Sequence, residues 1–348
     1  MGMFILRRAG VMLLTAICLT FIVFFMTNLY PNLEKLAKTQ GNFRMTEEEV
    51  ARWLEPRGYT QPTLYKYAEW LGVKPGYRGE SADGRPLGRC VRPGQDEGSI
   101  PNYCGILQGD WGYSTQFKEP VSDIVWKRLA LTGKLMFWVM LLMVPGALIV
   151  GVLAGMREGS VTDRTLSTGA IVTTATPEYV SGVIFIAVFA SSAVGLRWFK
   201  GSATSAMENI TFENFFLPVI TIALYGLGYV ARMTRASMAE VMTAQYIRTA
   251  RLKGVSFGNI VMKHALRNAL IAPFTVIMLQ FPWLLNGVVI VETLFNYKGF
   301  GWLLVQAAGN NDIDMLLACS VVAVVVVLVT QLISDIGYVF LNPRIRVS

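Results

Sequence analysis

The stretch MLLACSVVAVVVVLVTQLIS, residues 315–334, runs for twenty positions without a charge. At 1.5 Å per residue, a helix of that length crosses the roughly 30 Å of bilayer hydrocarbon, where a chain must satisfy its own backbone hydrogen bonds. Four more runs between flanking charges have the same character: Ala9 to Leu33, Leu135 to Met156, Asn214 to Ala231 and Asn268 to Val291. A sixth, Thr165 to Leu196, is broken only by Glu178; its most apolar part is Ser181 to Gly195, and Pro177 suggests a helix broken near a membrane edge. The pattern predicts an all-α polytopic membrane protein with six transmembrane helices. Composition agrees, since 53% of the 348 residues are hydrophobic, 16% are charged and mean hydropathy is +0.45. A purely soluble protein and a disordered one are both excluded.

The basic residues orient the helices, because cytoplasmic loops hold an excess of Lys and Arg. With both termini inside, the inner segments carry 13 basic residues against Glu158, Asp163 and Glu240, while the outer segments balance at 18 of each sign. The net charge of +8 therefore reports topology and not nucleic-acid binding. The first run follows Arg7 and Arg8 but exceeds the apolar core of about 7 to 15 residues of a signal peptide and lacks a small-x-small cleavage site. It is read as a retained helix in preference to a twin-arginine export signal.

Three parts result: 1–30 with the first helix, a large outer segment at 31–134, and a helical core at 135–348. In the outer segment Glu47 to Trp53 and Gln61 to Leu71 read as helices, the second with Leu64, Tyr67, Ala68 and Leu71 on one stripe. Lys74 to Gly105, dense in Gly and Pro, reads as loop. Cys18 and Cys319 fall inside spans. Cys90 and Cys104 share the outer loop, where a disulfide is the leading reading and two free thiols the other.

Enzymatic constellations are nearly absent. The single histidine, His264, cannot build a His-based triad or a multi-His metal site, no GxxxxGK[ST] occurs, and no cofactor is expected. Asp312 and Asp314 read as solvated loop carboxylates. The informative segment is the inner loop Arg232 to Arg267, two helices interrupted at Gly254, with Met238, Val241 and Met242 on one apolar stripe and Ile260, Val261 and Ala265 on the other. Gly254 suits a left-handed helix end and Ser256 an N-cap. Such a basic pair either lies on the lipid surface or docks a soluble partner.

Tyr246-Ile247-Arg248-Thr249-Ala250-Arg251-Leu252-Lys253-Gly254, followed by His264-Ala265-Leu266-Arg267-Asn268-Ala269-Leu270, resembles the inner-loop signature of ABC importer permeases of the dipeptide/oligopeptide/nickel subfamily. Further stretches fall in the same order: Arg7-Arg8, Gly109-Asp110-Trp111-Gly112-Tyr113-Ser114, Thr176-Pro177-Glu178-Tyr179, Val291-Glu292-Thr293-Leu294-Phe295, Gly299-Phe300-Gly301 and Asn342-Pro343-Arg344-Ile345-Arg346. The similarity covers nearly everything outside about 74–103, which looks like an insertion. Departures are Arg248-Thr249-Ala250 in place of Glu-Ala-Ala, Leu266-Arg267 in place of Leu-Pro, and Tyr30-Pro31-Asn32-Leu33 in place of Ala-Pro-Gly-Asp-Pro.

The resemblance implies a bacterial inner-membrane permease that forms half of a translocation pathway for peptides or similar small solutes. It also implies a second, similar permease, two cytoplasmic ATPases that hydrolyse the ATP, and a periplasmic binding protein. The 31–134 segment would be periplasmic, and Tyr246, Arg248, Thr249, Ala250, Arg251, Lys253, Gly254 and His264 would belong to the loop that couples to the ATPases. Glu178, Gln280 and Asn286 are the polar residues placed to face a pathway, with interhelical hydrogen bonding as the other reading. Gly151 and Gly155 suit close helix packing. The rival classes are an ion-coupled secondary transporter, for which only Glu178 offers a mid-membrane charge, and a membrane-bound enzyme, for which no nucleophile has a base.

Overall fold

The structure, a computed structural model, describes residues 2–81, 83–92, 94–95, 97–192 and 196–341, with backbone alone at 2–5, 97, 282–287 and 338–341. Two compact units result. The N-terminal unit comprises Ile5–Leu129 with Leu303–Val325; the C-terminal unit comprises Met1–Phe4, Ala130–Trp302 and Val326–Ser348.

In the N-terminal unit, α1 (Gly2–Thr27) is followed by α2 (Tyr30–Gln40), α3 (Glu47–Leu54) and α4 (Thr63–Leu71). A reciprocal cap starts α3: Thr46 Oγ1 accepts from the Glu49 amide, and Glu49 Oε2 accepts from the Thr46 amide at 2.8 Å. Gly72, at φ +86, ends α4 in the left-handed conformation. Phe24, Leu36, Val50, Leu54, Tyr67, Trp70 and Leu317 form the core. The stripe read on α4 is corrected here, because Leu64 is 70% exposed whereas Lys66, Tyr67, Glu69 and Trp70 are buried. Tyr67 and Trp70 pack their rings against Phe24 at 5.4 and 5.5 Å. The two charged neighbours find backbone partners: Lys66 Nζ donates to the Tyr59 carbonyl at 2.9 Å, and Glu69 Oε1 accepts from the Tyr77 amide at 2.8 Å.

Beyond α4 the described residues form a short antiparallel hairpin, β1 (Gly79–Glu80) with β2 (Pro86–Leu87), and two 3-10 turns at Glu97–Ser99 and Ile106–Gln108. A disulfide joins Cys90 to Cys104. Asp312 is also corrected: it is 1% exposed and not solvated. It accepts from Ser114 Oγ and the Gln116 amide, and from the Met315 amide at 3.3 Å, so it caps α14 (Ile313–Leu341). Asp314 is partly buried and pairs with Arg89 at 3.2 Å.

Helix α5 (Val121–Gly155) leads into the C-terminal unit, where α6 (Val161–Ala175), α7 (Glu178–Phe189), α8 (Phe212–Met242), α9 (Gln245–Leu252), α10 (Phe257–Asn259), a π-helical stretch (Ile260–Ala265), α11 (Leu266–Ala269) and α12 (Ile271–Leu294) follow; α13 (Phe300–Gly309) starts there. Leu135, Val139, Met143, Leu217, Ile222, Val288, Val291 and Phe295 fill its main core. Gly151 and Gly155 let α5 lie against α8: a Cβ on Gly155 would stand 2.6 Å from the Arg235 carbonyl.

Among the described residues four helices are long and apolar enough to cross a membrane: Leu6–Thr27, Val121–Gly155, Phe212–Met242 and Ile313–Gly337. Two bent pairs raise the total to six if each is one crossing. One pair, α6 with α7, bends by 103° at Thr176 and Pro177, the break that Pro177 suggested, and the apolar part read over Ser181 to Gly195 is a 12-residue helix that begins at Glu178 and ends at Phe189. Pro177 has no amide hydrogen and pushes Thr176 to an extended backbone, φ −91 and ψ 121, which ends α6. Residues 193–195 of that expectation lie outside the described residues.

Candidate functional site

The inner loop is a charged surface on an apolar floor. Met238 and Met242 of α8, Ile247 and Ala250 of α9, then Ile260, Val261, Ala265 and Ala269 bury one another, with Val152, Met156 and Val255 at the margin. Ile247 and Ala250, three apart, put one face of α9 down; the other face therefore stands in solvent. Of the eight loop residues singled out in the sequence, only Ala250 is buried; Tyr246, Arg248, Thr249, Arg251, Lys253, Gly254 and His264 are exposed. Leu252 at 82% and Met262 at 65% exposure add large apolar side chains to this basic surface.

Gly254 has φ +76, and a Cβ placed there would meet nothing within 4 Å. The constraint at this position is thus backbone conformation and not crowding. Its amide donates to the Arg251 carbonyl at 3.0 Å, which closes α9. The second helix differs from the regular one expected. Ser256 stands at the N-cap without a side-chain cap bond, α10 lasts 3 residues, and a π-helical stretch of 6 follows. The wider turn brings Ile260, Val261 and Ala265 onto the floor together. Asn268 Nδ2 then donates to the Tyr246 hydroxyl at 3.0 Å, tying the end of the loop to its beginning.

An ion pair unread in the sequence joins α6 to α8. Asp163, 3% exposed, accepts from Arg235 Nε at 3.0 Å and Nη2 at 2.8 Å, from Ser167 Oγ at 3.0 Å and from the Gly159 amide at 2.8 Å. Bidentate geometry with every carboxylate oxygen used is the arrangement in which a buried charge is tolerated. The signal available was Ser160 three residues before Asp163, a helix-start spacing that leaves Asp163 in the first turn.

A second buried carboxylate, Glu292, sits in the last turn of α12 at 0% exposure. It accepts from Thr132 Oγ1 and from the Trp302 amide at 2.9 Å, and Thr132 Oγ1 accepts from the Phe300 amide at 2.7 Å. Gly299 is a close approach: a methyl there would collide with Glu292 and Thr132. The Glu-Thr-Leu-Phe and Gly-Phe-Gly stretches are therefore two halves of one packed turn.

Glu178 opens α7 just past the bend, is buried, and has Oε1 without a hydrogen-bond partner among the described residues. Gln280 is buried in α12. The side chain of Asn286 lies outside the described residues, as does the Asn342 to Arg346 stretch. Among the described residues no group of three His, Cys, Asp or Glu is placed to hold a metal ion.

Residues 147–347, which include the whole inner loop, match the family described as binding-protein-dependent transport system inner membrane component. Over 99% of this chain and 100% of the other, the sequence is 30% identical to the probable peptide ABC transporter permease protein y4tP of Sinorhizobium fredii (strain NBRC 101917 / NGR234). It is also 30% identical to the oligopeptide transport system permease protein AppB of Bacillus subtilis (strain 168), over 87% of each chain. With the dipeptide transport system permease protein DppB of Haemophilus influenzae the identity is 31%, over 70% of this chain and 79% of that one.

Proposed function

The chain belongs to the family of binding-protein-dependent transport system inner membrane components and is an ABC importer permease, and from that premise we propose its topology, partners and cargo. Six crossings place both termini and the 232–267 loop in the cytoplasm, and residues 31–134 in the periplasm of a bacterium. A second permease completes the pathway, two ATPases dock from the cytoplasm, and a periplasmic binding protein delivers short peptides. The peptide assignment rests on the names of the relatives.

One observation carries the coupling role. The exposed Tyr246, Arg248, Arg251 and Lys253 ride on a floor of buried side chains continuous with α8, so a push on the surface moves the helix as a rigid body. Glu178, beside the bend and buried without a described partner at one oxygen, is the foremost pathway residue, with Gln280 and Asn286 behind it.

The test is uptake of a labelled tripeptide into proteoliposomes that hold the full assembly. Uptake driven by ATP, abolished by orthovanadate and indifferent to a protonophore is expected, and Arg248→Glu with Arg251→Glu should release the ATPases from the purified complex. Uptake that follows an ion gradient without ATP would favour the ion-coupled alternative.

A further inference from the structure

The N-terminal unit carries a half-open cleft of about 680 Å³, within the size range of small-ligand sites. Its walls come from the end of α1, from α4, from the β1–β2 hairpin with the disulfide-tied loop, and from the start of α14. The charges on these walls are unequal. Arg57, Arg85, Arg89 and Arg92 all line it, and so do Lys66, Glu69 and Asp314. Burial pushes the Glu69 carboxyl up and the Lys66 ammonium down. Of the four guanidinium groups, Arg89 pairs with Asp314, Arg92 pairs with Asp110, and Arg57 donates to the Trp53 carbonyl at 2.9 Å.

Two of these guanidiniums have capacity to spare among the described residues. Arg89 spends Nη1 on Asp314 at 3.2 Å while its Nη2 is buried with no partner. A buried donor left unmade is costly, and native structures leave few. Arg85 is exposed at the rim, and its side chain makes no hydrogen bond or ion pair with a described residue. Arginine cannot discharge by losing its proton, and its planar fork matches a carboxylate with two parallel hydrogen bonds. Thr115 adds a hydroxyl to the wall, whereas the Gln95 amide is spent on the Arg92 amide and the Ser99 carbonyl.

We propose that this cleft is a binding site for a carboxylate carried on a short peptide chain, with Arg89 as the buried contact and Arg85 as the contact at the rim. The site stands on the geometry of the N-terminal unit and goes beyond the importer assignment. Two sources supply the same chemistry: the terminal carboxylate of a free peptide, and an acidic side chain on a loop of a docked protein. The disulfide from Cys90 sits one residue from Arg89, so it fixes the wall that carries the buried contact.

Calorimetric titration of the full-length chain in nanodiscs tests this with four probes: acetyl-Ala-Ala-Ala and its amide, and acetyl-Glu-Glu-amide and acetyl-Gln-Gln-amide. At least one acidic probe should bind saturably and at least tenfold more tightly than its neutral counterpart. Preference for acetyl-Ala-Ala-Ala assigns the free-peptide source, preference for acetyl-Glu-Glu-amide the acidic loop. Arg89→Gln should weaken that binding about tenfold or more. Arg85→Gln, at an exposed position with no described partner to lose, should weaken it severalfold without disturbing assembly. Equal binding of acidic and neutral probes, no saturable binding of any probe, or binding unchanged by Arg85→Gln in well-assembled protein would each overturn the proposal.

Discussion

The stretch after α4 in the N-terminal unit and the loop after α8 in the C-terminal unit are both polar at the surface, yet they become ordered by different means. The first is held by specific links: the Cys90–Cys104 disulfide, Arg78 Nη2 on the Ile100 carbonyl at 3.0 Å and Asn102 Oδ1 at 2.8 Å, and the Glu69 clasp on the Tyr77 amide. The second is held by burial, with Ile247 and Ile260 at 0% and 1% exposure on a shared floor. Each fully buried side chain of that size contributes about 1.5–3 kcal/mol, so few links are needed. The consequence is functional. A loop ordered from beneath leaves its upper surface free to change and to dock, whereas a loop ordered by its own polar groups commits most of them and leaves only a few, such as Arg85 and Arg89, for a ligand.

The largest effect should come from the floor. Ile247→Ala removes buried volume in a place with little room to collapse, a loss of about 2–5 kcal/mol. Hydrogen exchange across 244–270 should rise steeply while 73–105 stays unchanged. An exchange map that rises equally in both stretches would break the distinction between them. Converting Cys90 and Cys104 to serine is the reverse experiment. Closing a loop of this length is worth about 3 kcal/mol in the chain-entropy account, so exchange should rise in 73–105 and leave 244–270 as it was.

A smaller effect separates backbone from packing at the loop's turn. Gly254→Val must hold a β-branched residue at φ +76, a penalty of roughly 1–2 kcal/mol, with no steric neighbour to blame. ATP-driven uptake should fall about tenfold in protein that assembles normally, and Gly254→Asn, which tolerates the left-handed region, should retain most of it. Equal loss in both variants would mean that the side chain, not the backbone, matters there.

The same contrast explains what was legible in the sequence. The charge-free cores of α1, α5, α8 and α14 follow from bilayer thickness and the absence of charge, which a single run displays, but the charged ends that lengthen α5 back to Val121 and α8 on to Met242 were not marked by those runs. The floor of the inner loop was legible as well, because Met238, Met242, Ile260, Val261 and Ala265 repeat at helical spacing. The burial of Asp312 was not, since its hydrogen bond comes from Ser114, 198 residues away. Nor was the face of α4, where Lys66 and Glu69 are buried by backbone partners that no periodicity encodes. The Asp163–Arg235 pair spans 72 residues and was missed for the same reason, though Ser160 marked the helix start. Of the candidate pathway residues, the sequence singled out Glu178 through its charge within an apolar run, and Pro177 marked the break beside it, though not its angle of 103°.

The smallest effect is a pH dependence confined to the link-ordered region. Burial pushes the Asp312 carboxyl above the usual carboxylate range; the hydrogen bond from Ser114 and the amides of Gln116 and Met315 pull it partly back, and nearby Asp314 raises it further. Glu69 is raised for the same first cause. A carboxyl whose folded pKa lies above its unfolded value binds its proton more readily in the folded state. Its contribution therefore favours folding on the acid side and declines as pH climbs from the ordinary carboxylate value through the raised one. The thermal midpoint of the purified chain should accordingly rise slightly on moving from pH 7 toward pH 5. Asp312→Asn keeps an oxygen for the Met315 amide and so retains the cap, but it cannot titrate. It should flatten part of that slope, leaving the share due to Glu69. If the slope runs the other way, or is the same in Asp312→Asn, the buried cap is not a titrating element.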